Sequence, residues 1–215
     1  MEEKNNNIEV SVVMPCLNDE QAVGICVRQA RQSLEKLGVA GEVVVVDNDS
    51  TDNSVAAAQK EGARVVFEPE QGYGSAYLKG FSETKGEIIV MGDCDNSYDF
   101  SKVGEFILPL KQGYDFVIGS RFKGKIKKGA MPWLNRHIGN PILSAILRFF
   151  FKTNISDAQC GMRAFTKRAY RKMELHSLGM EFASEMVIAA ARENLKIKEI
   201  TIDYFTRKEI GRAHV

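Results

Sequence analysis

Asp93-Cys94-Asp95 sets two carboxylates two positions apart, directly after the apolar run Ile88-Ile89-Val90-Met91. Alternate residues of an extended chain point to opposite faces. At a strand end, however, the chain can turn so that both carboxylates approach one cation. Hard oxygen ligands suit Mg²⁺ or Mn²⁺, ions that keep waters and bridge to substrate phosphates. A further acid, Asp47, ends the run Val43-Val44-Val45-Val46 and can accept hydrogen bonds from a nucleobase or ribose. Ser50 and Asp52 are placed to cap the helix that follows, which leaves Asp47 free. Gly72-Tyr73-Gly74-Ser75 offers small residues at a helix start, where backbone can pass close to a nucleotide.

Such residues need a scaffold that gathers them. Apolar β-branched runs predict strands at 10–14, 42–46, 63–67, 87–91 and 115–119, and helical patterns fall between them at 20–37, 52–61, 74–84 and 101–111. Continuous apolar strands separated by helices indicate an α/β fold with a parallel sheet covered on both faces. Ligands of such sheets bind at the carboxyl ends of the strands. The residues found there are Pro15 to Glu20, Asp47 to Asp52, Glu68 to Gly74, Asp93 to Asn96 and Ser120-Arg121, a polar, acidic and glycine-bearing edge suited to a nucleotide and a metal. The second half is less regular, with a bulky apolar helix at 133–152, a short strand at 162–165, a helix at 181–193 and a last strand at 198–204.

The 215 residues carry 29 basic and 28 acidic side chains, yet the signs are segregated. Residues 1–115 hold 10 basic and 20 acidic groups; the remainder holds 19 and 8. No acid occurs between Asp115 and Asp157, whereas Arg121, Lys123, Lys125, Lys127, Lys128, Arg136, Arg148 and Lys152 do. The asymmetry suggests two faces with different anionic partners, or a cation at one end. Globular composition excludes a disordered or collagen-like chain and a disulfide-dense miniprotein. Cys16, Cys26, Cys94 and Cys160 have no C-x-x-C or zinc spacing and read as buried free thiols in a reducing compartment. The polar N-terminus is no secretory signal, and the longest apolar stretch, 142–151, is broken by Arg148 and is short of the ~20 residues of a span.

In order along the chain, Val-Val-Met-Pro-Cys-Leu-Asn-Asp-Glu, Val-Val-Val-Asp-Asn-Asp-Ser-Thr-Asp-Asn-Ser, Gly-Tyr-Gly-Ser-Ala, Gly-Asp-Cys-Asp and Gly-Ser-Arg-Phe resemble the family 2 glycosyltransferases of GT-A fold. The likeness is greatest to the polyprenyl-phosphate glycosyltransferases, such as the dolichyl-phosphate mannose synthases, and runs from about Glu9 to the end. It implies a Rossmann-like, mostly parallel sheet with helices on both faces. After a polar tail at 1–8 comes one catalytic domain at 9–215, divided into a nucleotide and metal half (9–120) and an acceptor half (121–215).

The resemblance further implies that Pro15, Leu17 and Asp19 hold the nucleoside, with Asp47 on the base. Asp stands at 19 where the family has Glu, and Glu20 is adjacent, so either acid can serve. The family's Asp-Asp pair is Asp47-Asn48 here, and its third metal ligand falls at Ser97. Gly72 and Gly74 join the nucleotide-sugar site, Asp93 and Asp95 bind Mg²⁺ or Mn²⁺ with the diphosphate, and Arg121 lies near the sugar-phosphate. Arg207 and His214 resemble a mobile basic loop closing on the diphosphate. On the acceptor side the likeness implies Arg136 and Asn140 at the lipid phosphate, with Arg163 and Glu185 also in the acceptor site. Asp157, which ends the 41-residue span without acids, is the candidate catalytic base. A phosphate monoester with a second pKa of about 6 scarcely needs one near neutral pH, so Asp157 can instead position groups.

Trp133, Leu134, Ile138, Ile142, Leu143, Ile146 and Leu147 form an apolar stripe, flanked by the basic cluster Lys123 to Lys128. The segment 121–152 therefore reads as an interfacial element on anionic lipid. The alternative is a helix packed on the sheet. The expected reaction is metal-dependent, inverting transfer of a sugar from GDP-mannose or a UDP-sugar to a polyprenyl or dolichyl phosphate. The expected setting is the cytoplasmic face of a membrane, with no nucleic-acid partner. Relatives often continue into further helices or membrane spans, so the end at Val215 reads as a truncation. Transfer to a sugar or other hydroxyl is the alternative. A haloacid-dehalogenase-type phosphatase would want its nucleophile motif on an early strand, and a non-catalytic membrane module leaves the acids at the strand ends unexplained.

Overall fold

The computed structural model describes residues 8–207. Seven strands form one sheet in the order β3-β2-β1-β4-β6-β5-β7. These are β1 (Val10–Cys16), β2 (Gly41–Asp47), β3 (Arg64–Phe67), β4 (Ile88–Met91), β5 (Phe116–Ser120), β6 (Arg163–Thr166) and β7 (Ile197–Thr201). Valine-rich β1 and β2 are almost wholly buried, as strands covered on both faces must be. The helices are α1 (Val23–Lys36), α2 (Ser54–Lys60), α3 (Tyr73–Ser82), α4 (Val103–Lys111), α5 (Asn140–Phe151), α6 (Lys167–Met173) and α7 (Phe182–Arg192). On α1 the buried residues Val23, Cys26, Val27, Ala30 and Leu34 recur at three- and four-residue spacing, which aims one stripe at the sheet.

Register sets where the loops emerge. Parallel pairing aligns Cys16 with Asp47, Asp47 with Phe67, and Val13 with Met91, so β1 to β4 finish at one edge. β6 alone runs antiparallel, with Arg163 opposite both Met91 and Ile118. The loop entering β6 therefore arrives at the edge where the loops leaving its neighbours depart. β7, parallel to β5, pairs Thr201 with Ser120 and delivers the segment up to Arg207 to the same place.

Among the differences from the expected boundaries, three have a clear local cause. α1 starts at Val23 rather than 20 because the amides of Asn18, Asp19 and Glu20 bond to Ser50 Oγ, Ser54 Oγ and Asp52 Oδ2. β7 stops at Thr201 because the chain crosses to pair Tyr204 with Ile126. The expected helix 133–152 contains a π turn at Asn135–Gly139 before α5. It is not a helix packed flat on the sheet, since on α5 only Ser144 and Leu147 are buried.

Candidate active site

At the edge, the β1 and β2 loops are laced together. Asn18, in the left-handed region at φ 57°, turns the chain and accepts from Thr51 N at 2.9 Å. Glu20 accepts from Asn53 N at 3.1 Å and is exposed, so it links loop to loop. Asp19 faces the other way, toward Cys94 Sγ at 3.5 Å. Its pKa is raised by burial and then by the charge of Asp95. Of the two adjacent acids, Asp19 is the one that faces Asp95. Neither Ser50 nor Asp52 is the N-cap of α2, which is Asn53 with no side-chain capping bond; Asp52 Oδ1 accepts from Ser54 N at 2.9 Å, and Ser50 Oγ serves Asn18. Asp47 is buried and among the described residues accepts one long bond, from Ser50 N at 3.3 Å to Oδ1. Its carboxylate retains acceptor capacity for a ligand. Pro15 and Leu17 lie partly buried in the same loop.

Asp93 and Asp95 follow β4, where Asn96 at φ 65° makes the turn that keeps both carboxylates near one point. Tyr77 Oη donates to Asp93 Oδ1 at 3.1 Å. Burial, then the charge of Asp95, push the Asp93 pKa up to about 6. Asp95 Oδ1 accepts from Ser97 N at 2.9 Å, and its Oδ2 meets Arg207 Nε at 2.5 Å. Ser97 Oγ is buried without a hydrogen-bond partner among the described residues. Mutually repelling carboxylates, a guanidinium in place of a cation and an orphaned hydroxyl fit a hard divalent ion held by Asp93 and Asp95.

The loop before β6 passes beside this pair. A Cβ on Gly161 would lie 2.8 Å from Asp93 Oδ2, a contact only glycine permits without displacement. Gly161 N donates to Tyr98 Oη at 2.8 Å, and the Tyr98 ring lies 5.3 Å from that of Tyr204. Arg121 lies over Tyr204 at 5.0 Å and grips Asp157 through Nε and Nη2 at 2.7 and 2.8 Å, with its own N–H adding a third bond. Burial opposes the Arg121 charge, but the hydrogen bonds of Asp157 outweigh it and hold its pKa above the usual value.

Four expectations about individual residues change. Asp157 is fully buried with both oxygens on Arg121, a geometry that favours the positioning role over the base of the two alternatives. Arg163 is fully buried and donates to the carbonyls of Cys160, Ala183 and Ala158, so it braces the loop instead of meeting an acceptor. Glu185 accepts from His176 N and Ser177 N at 2.9 and 3.0 Å. It thereby fixes the segment whose Leu178 O accepts from Gly74 N and Ser75 N. Finally, the close backbone approach at Gly72 and Gly74 is to this segment and not to open cleft. A Cβ at Gly74 would stand 2.1 Å from Ser177 O, and one at Gly72 would stand 2.5 Å from Leu178 O. Arg136 is exposed and Asn140 partly so, on the helical segment beside the site. His214 lies outside the described residues.

Two residues brace these loops in a way the sequence did not assign. Asn48 donates to Glu68 O and Glu70 O at 2.8 and 2.9 Å and accepts from Gly72 N at 2.9 Å. Glu199 on β7 accepts from Ser156 N at 2.6 Å and Asp157 N at 3.2 Å, while pairing with Lys123 at 2.5 Å. Asn48 had a signal in its place beside Asp47; Glu199, in an unremarkable strand, had none.

The model of glycosyl transferase family 2 matches residues 11–174. The chain belongs to glycosyl transferase family 2. It is 43% identical over 201 residues to the low-salt glycan biosynthesis hexosyltransferase Agl6 of Haloferax volcanii, covering 93% of this chain and 48% of that protein. It is 32% identical over 202 residues to a dolichyl-phosphate hexose transferase of the same organism, covering 93% and 84%. The chain thus spans about half the length of Agl6. Among solved structures, glucosyl-3-phosphoglycerate synthase from Mycobacterium tuberculosis, in complex with Mn²⁺, uridine diphosphate and phosphoglyceric acid, superposes with a TM-score of 0.71. That match has 23% identity and covers 95% of this chain and 71% of that one. The likeness is one of fold, and the family 2 domain has the GT-A fold.

Proposed function

We propose that this family 2 domain transfers a sugar, with inversion, from a nucleotide-diphospho-sugar to the phosphate of a polyprenyl or dolichyl lipid. The carrying observation is that the 157–162 loop touches Asp93 on one side and hangs from an exposed apolar helix on the other. Ala158 N donates to Ser144 Oγ at 3.1 Å and Arg148 Nη1 to Ile155 O at 3.1 Å, both from α5. Trp133, Leu134, Ile138, Ile142, Ile146, Phe149 and Phe150 are exposed there, with Phe149 at 79%. Lys123, Lys125, Lys127 and Lys128 are exposed nearby in the chain. Apolar side chains flanked by lysines suit an anionic lipid surface, which supports an acceptor carried by a membrane lipid. The relative named a dolichyl-phosphate hexose transferase supports the same acceptor class.

In this reading Asp47, Pro15, Leu17 and Asp19 orient the nucleoside, and Asp93 and Asp95 hold Mg²⁺ or Mn²⁺. The divalent ion, when bound, offsets charge on the departing nucleoside diphosphate. Arg207 adds positive charge at the same edge, where Arg121 is held by Asp157, while Arg136 and Asn140 face the acceptor phosphate. A phosphate oxygen attacks the anomeric carbon opposite the bond that breaks, and the electron pair leaves with the diphosphate. With the acceptor already dianionic above a pKa of about 6, no base is required. That accords with Asp157 as an anchor. The protein then works at the cytoplasmic membrane surface without nucleic acid. A second reading, a soluble phosphorylated acceptor, rests on the structural neighbour crystallised with phosphoglyceric acid.

Thermal unfolding with GDP, UDP and their sugars tests the nucleotide site. A cognate nucleotide with Mn²⁺ at a hundred times its Kd adds about 2.7 kcal/mol, or roughly 5–10 °C. Asp95→Ala should abolish that gain. If no nucleotide shifts the midpoint with metal present, the reading fails.

A further inference from the structure

The cysteines lack a metal-binding spacing in the sequence, yet three of the four meet in the fold. Cys16 ends β1 and Cys94 lies between the two aspartates. The register pairs Val13 with Met91, and three residues beyond each stand Cys16 and Cys94. Their sulfurs and a carboxylate oxygen of Asp19 all lie within 4.8 Å of one another. Cys94 Sγ contacts Pro15 O at 3.0 Å and Asp19 Oδ2 at 3.5 Å. Cys26 Sγ, donating to Cys94 O at 3.3 Å, braces the backbone from behind. Both sulfurs are buried, at 2% and 1% exposure, while Asp19 is partly open and marks the route of entry.

The chemistry of this trio differs from that of Asp93 and Asp95. Two thiolates and a carboxylate suit a borderline or soft ion, whereas all-oxygen sets suit Mg²⁺ and Mn²⁺. Around a tetrahedral zinc with Zn–S bonds of about 2.3 Å, two sulfurs stand about 3.8 Å apart. The trio needs a contraction of no more than about 1 Å to reach that geometry. Three protein ligands leave a fourth position open to water.

We propose that Cys16, Cys94 and Asp19 form a second cation site, for a thiophilic divalent ion such as Zn²⁺, beside the hard-cation pair. Binding replaces two S–H bonds by two metal–sulfur bonds and releases two protons to solvent. The ion staples the loop after β1 to the loop after β4, the two loops that frame the edge. The site stands without the sugar-transfer reading, and an ion held there takes up the Asp19 carboxylate that reading gives to the nucleoside.

Cobalt, a spectroscopic surrogate for zinc, tests it on the full chain without any substrate. One equivalent of Co²⁺ should produce thiolate-to-metal charge-transfer absorption in the near ultraviolet. Zn²⁺ should abolish the band and excess Mg²⁺ should not. Cys16→Ser and Cys94→Ser should each remove or halve it, while Cys160→Ser and Asp95→Ala retain it. Asp19→Asn, at a partly open position that spares the core, should weaken Co²⁺ binding at least about tenfold. The proposal is overturned if the unaltered protein gives no band, if both Cys16→Ser and Cys94→Ser keep full intensity, or if Asp19→Asn binds Co²⁺ unchanged.

Discussion

Asn48 shows how a single atom type decides a site. Its amide nitrogen donates to two carbonyls, Glu68 O and Glu70 O, and its oxygen receives Gly72 N. A carboxylate cannot donate, so an aspartate at 48 would face those carbonyls without a proton. Asn48→Asp should therefore cost about 1–3 kcal/mol of stability, read as a lower urea midpoint with unchanged slope. An unchanged midpoint would remove Asn48 from this role. The placement of Asp93, Asp95 and Asp47 at one edge of the sheet was legible because each ends or follows a buried strand, a position visible in the sequence. The partners that decide other roles were not legible, since they lie far away along the chain. Arg121 reaches Asp157, Glu199 reaches Ser156, and Arg163 folds onto Ala183, all across distances that residue types do not encode.

At the scale of elements, the alternation of valine-rich runs and helices made the parallel core readable. The direction of β6 was not, because the run at 162–165 is equally apolar whichever way it lies. That direction is what brings residues 157–162 to the edge. The segment 133–151 is the other element that matters, since its apolar side chains are left in the open. Burying one phenylalanine in lipid is worth about 1.5–3 kcal/mol, and 1.4 kcal/mol is a factor of ten in binding. Phe149→Ser with Phe150→Ser should thus lower the affinity for anionic vesicles by a hundredfold or more, with the fold intact by circular dichroism. Phe67→Ser, an exposed aromatic on β3, serves as the control and should leave binding unchanged. Equal vesicle affinity in all three proteins would sink the membrane-facing role of this helix.

For the whole molecule, a formal charge of +1 conceals an acidic first half and a basic second half. Part of the acidic excess is plain scaffolding: Glu42 pairs with Arg64, and Glu61 with Arg28. The remainder includes Asp19, Asp47, Asp93 and Asp95, all at one edge of the sheet. The basic excess includes four exposed lysines between Arg121 and Ala130, close in sequence to the apolar helix. In the proposed function these carboxylates hold the cation and the lysines, in the next stretch of the chain, face lipid. The direct test is transfer itself, with a labelled nucleotide sugar and Mn²⁺ or Mg²⁺, offering polyprenyl phosphate and phosphoglyceric acid as rival acceptors. The account predicts label in an organic-extractable, acid-labile glycosyl phosphate, none on phosphoglyceric acid, and no product with Asp95→Ala. Label on phosphoglyceric acid alone, or product formation unchanged by Asp95→Ala, would contradict it.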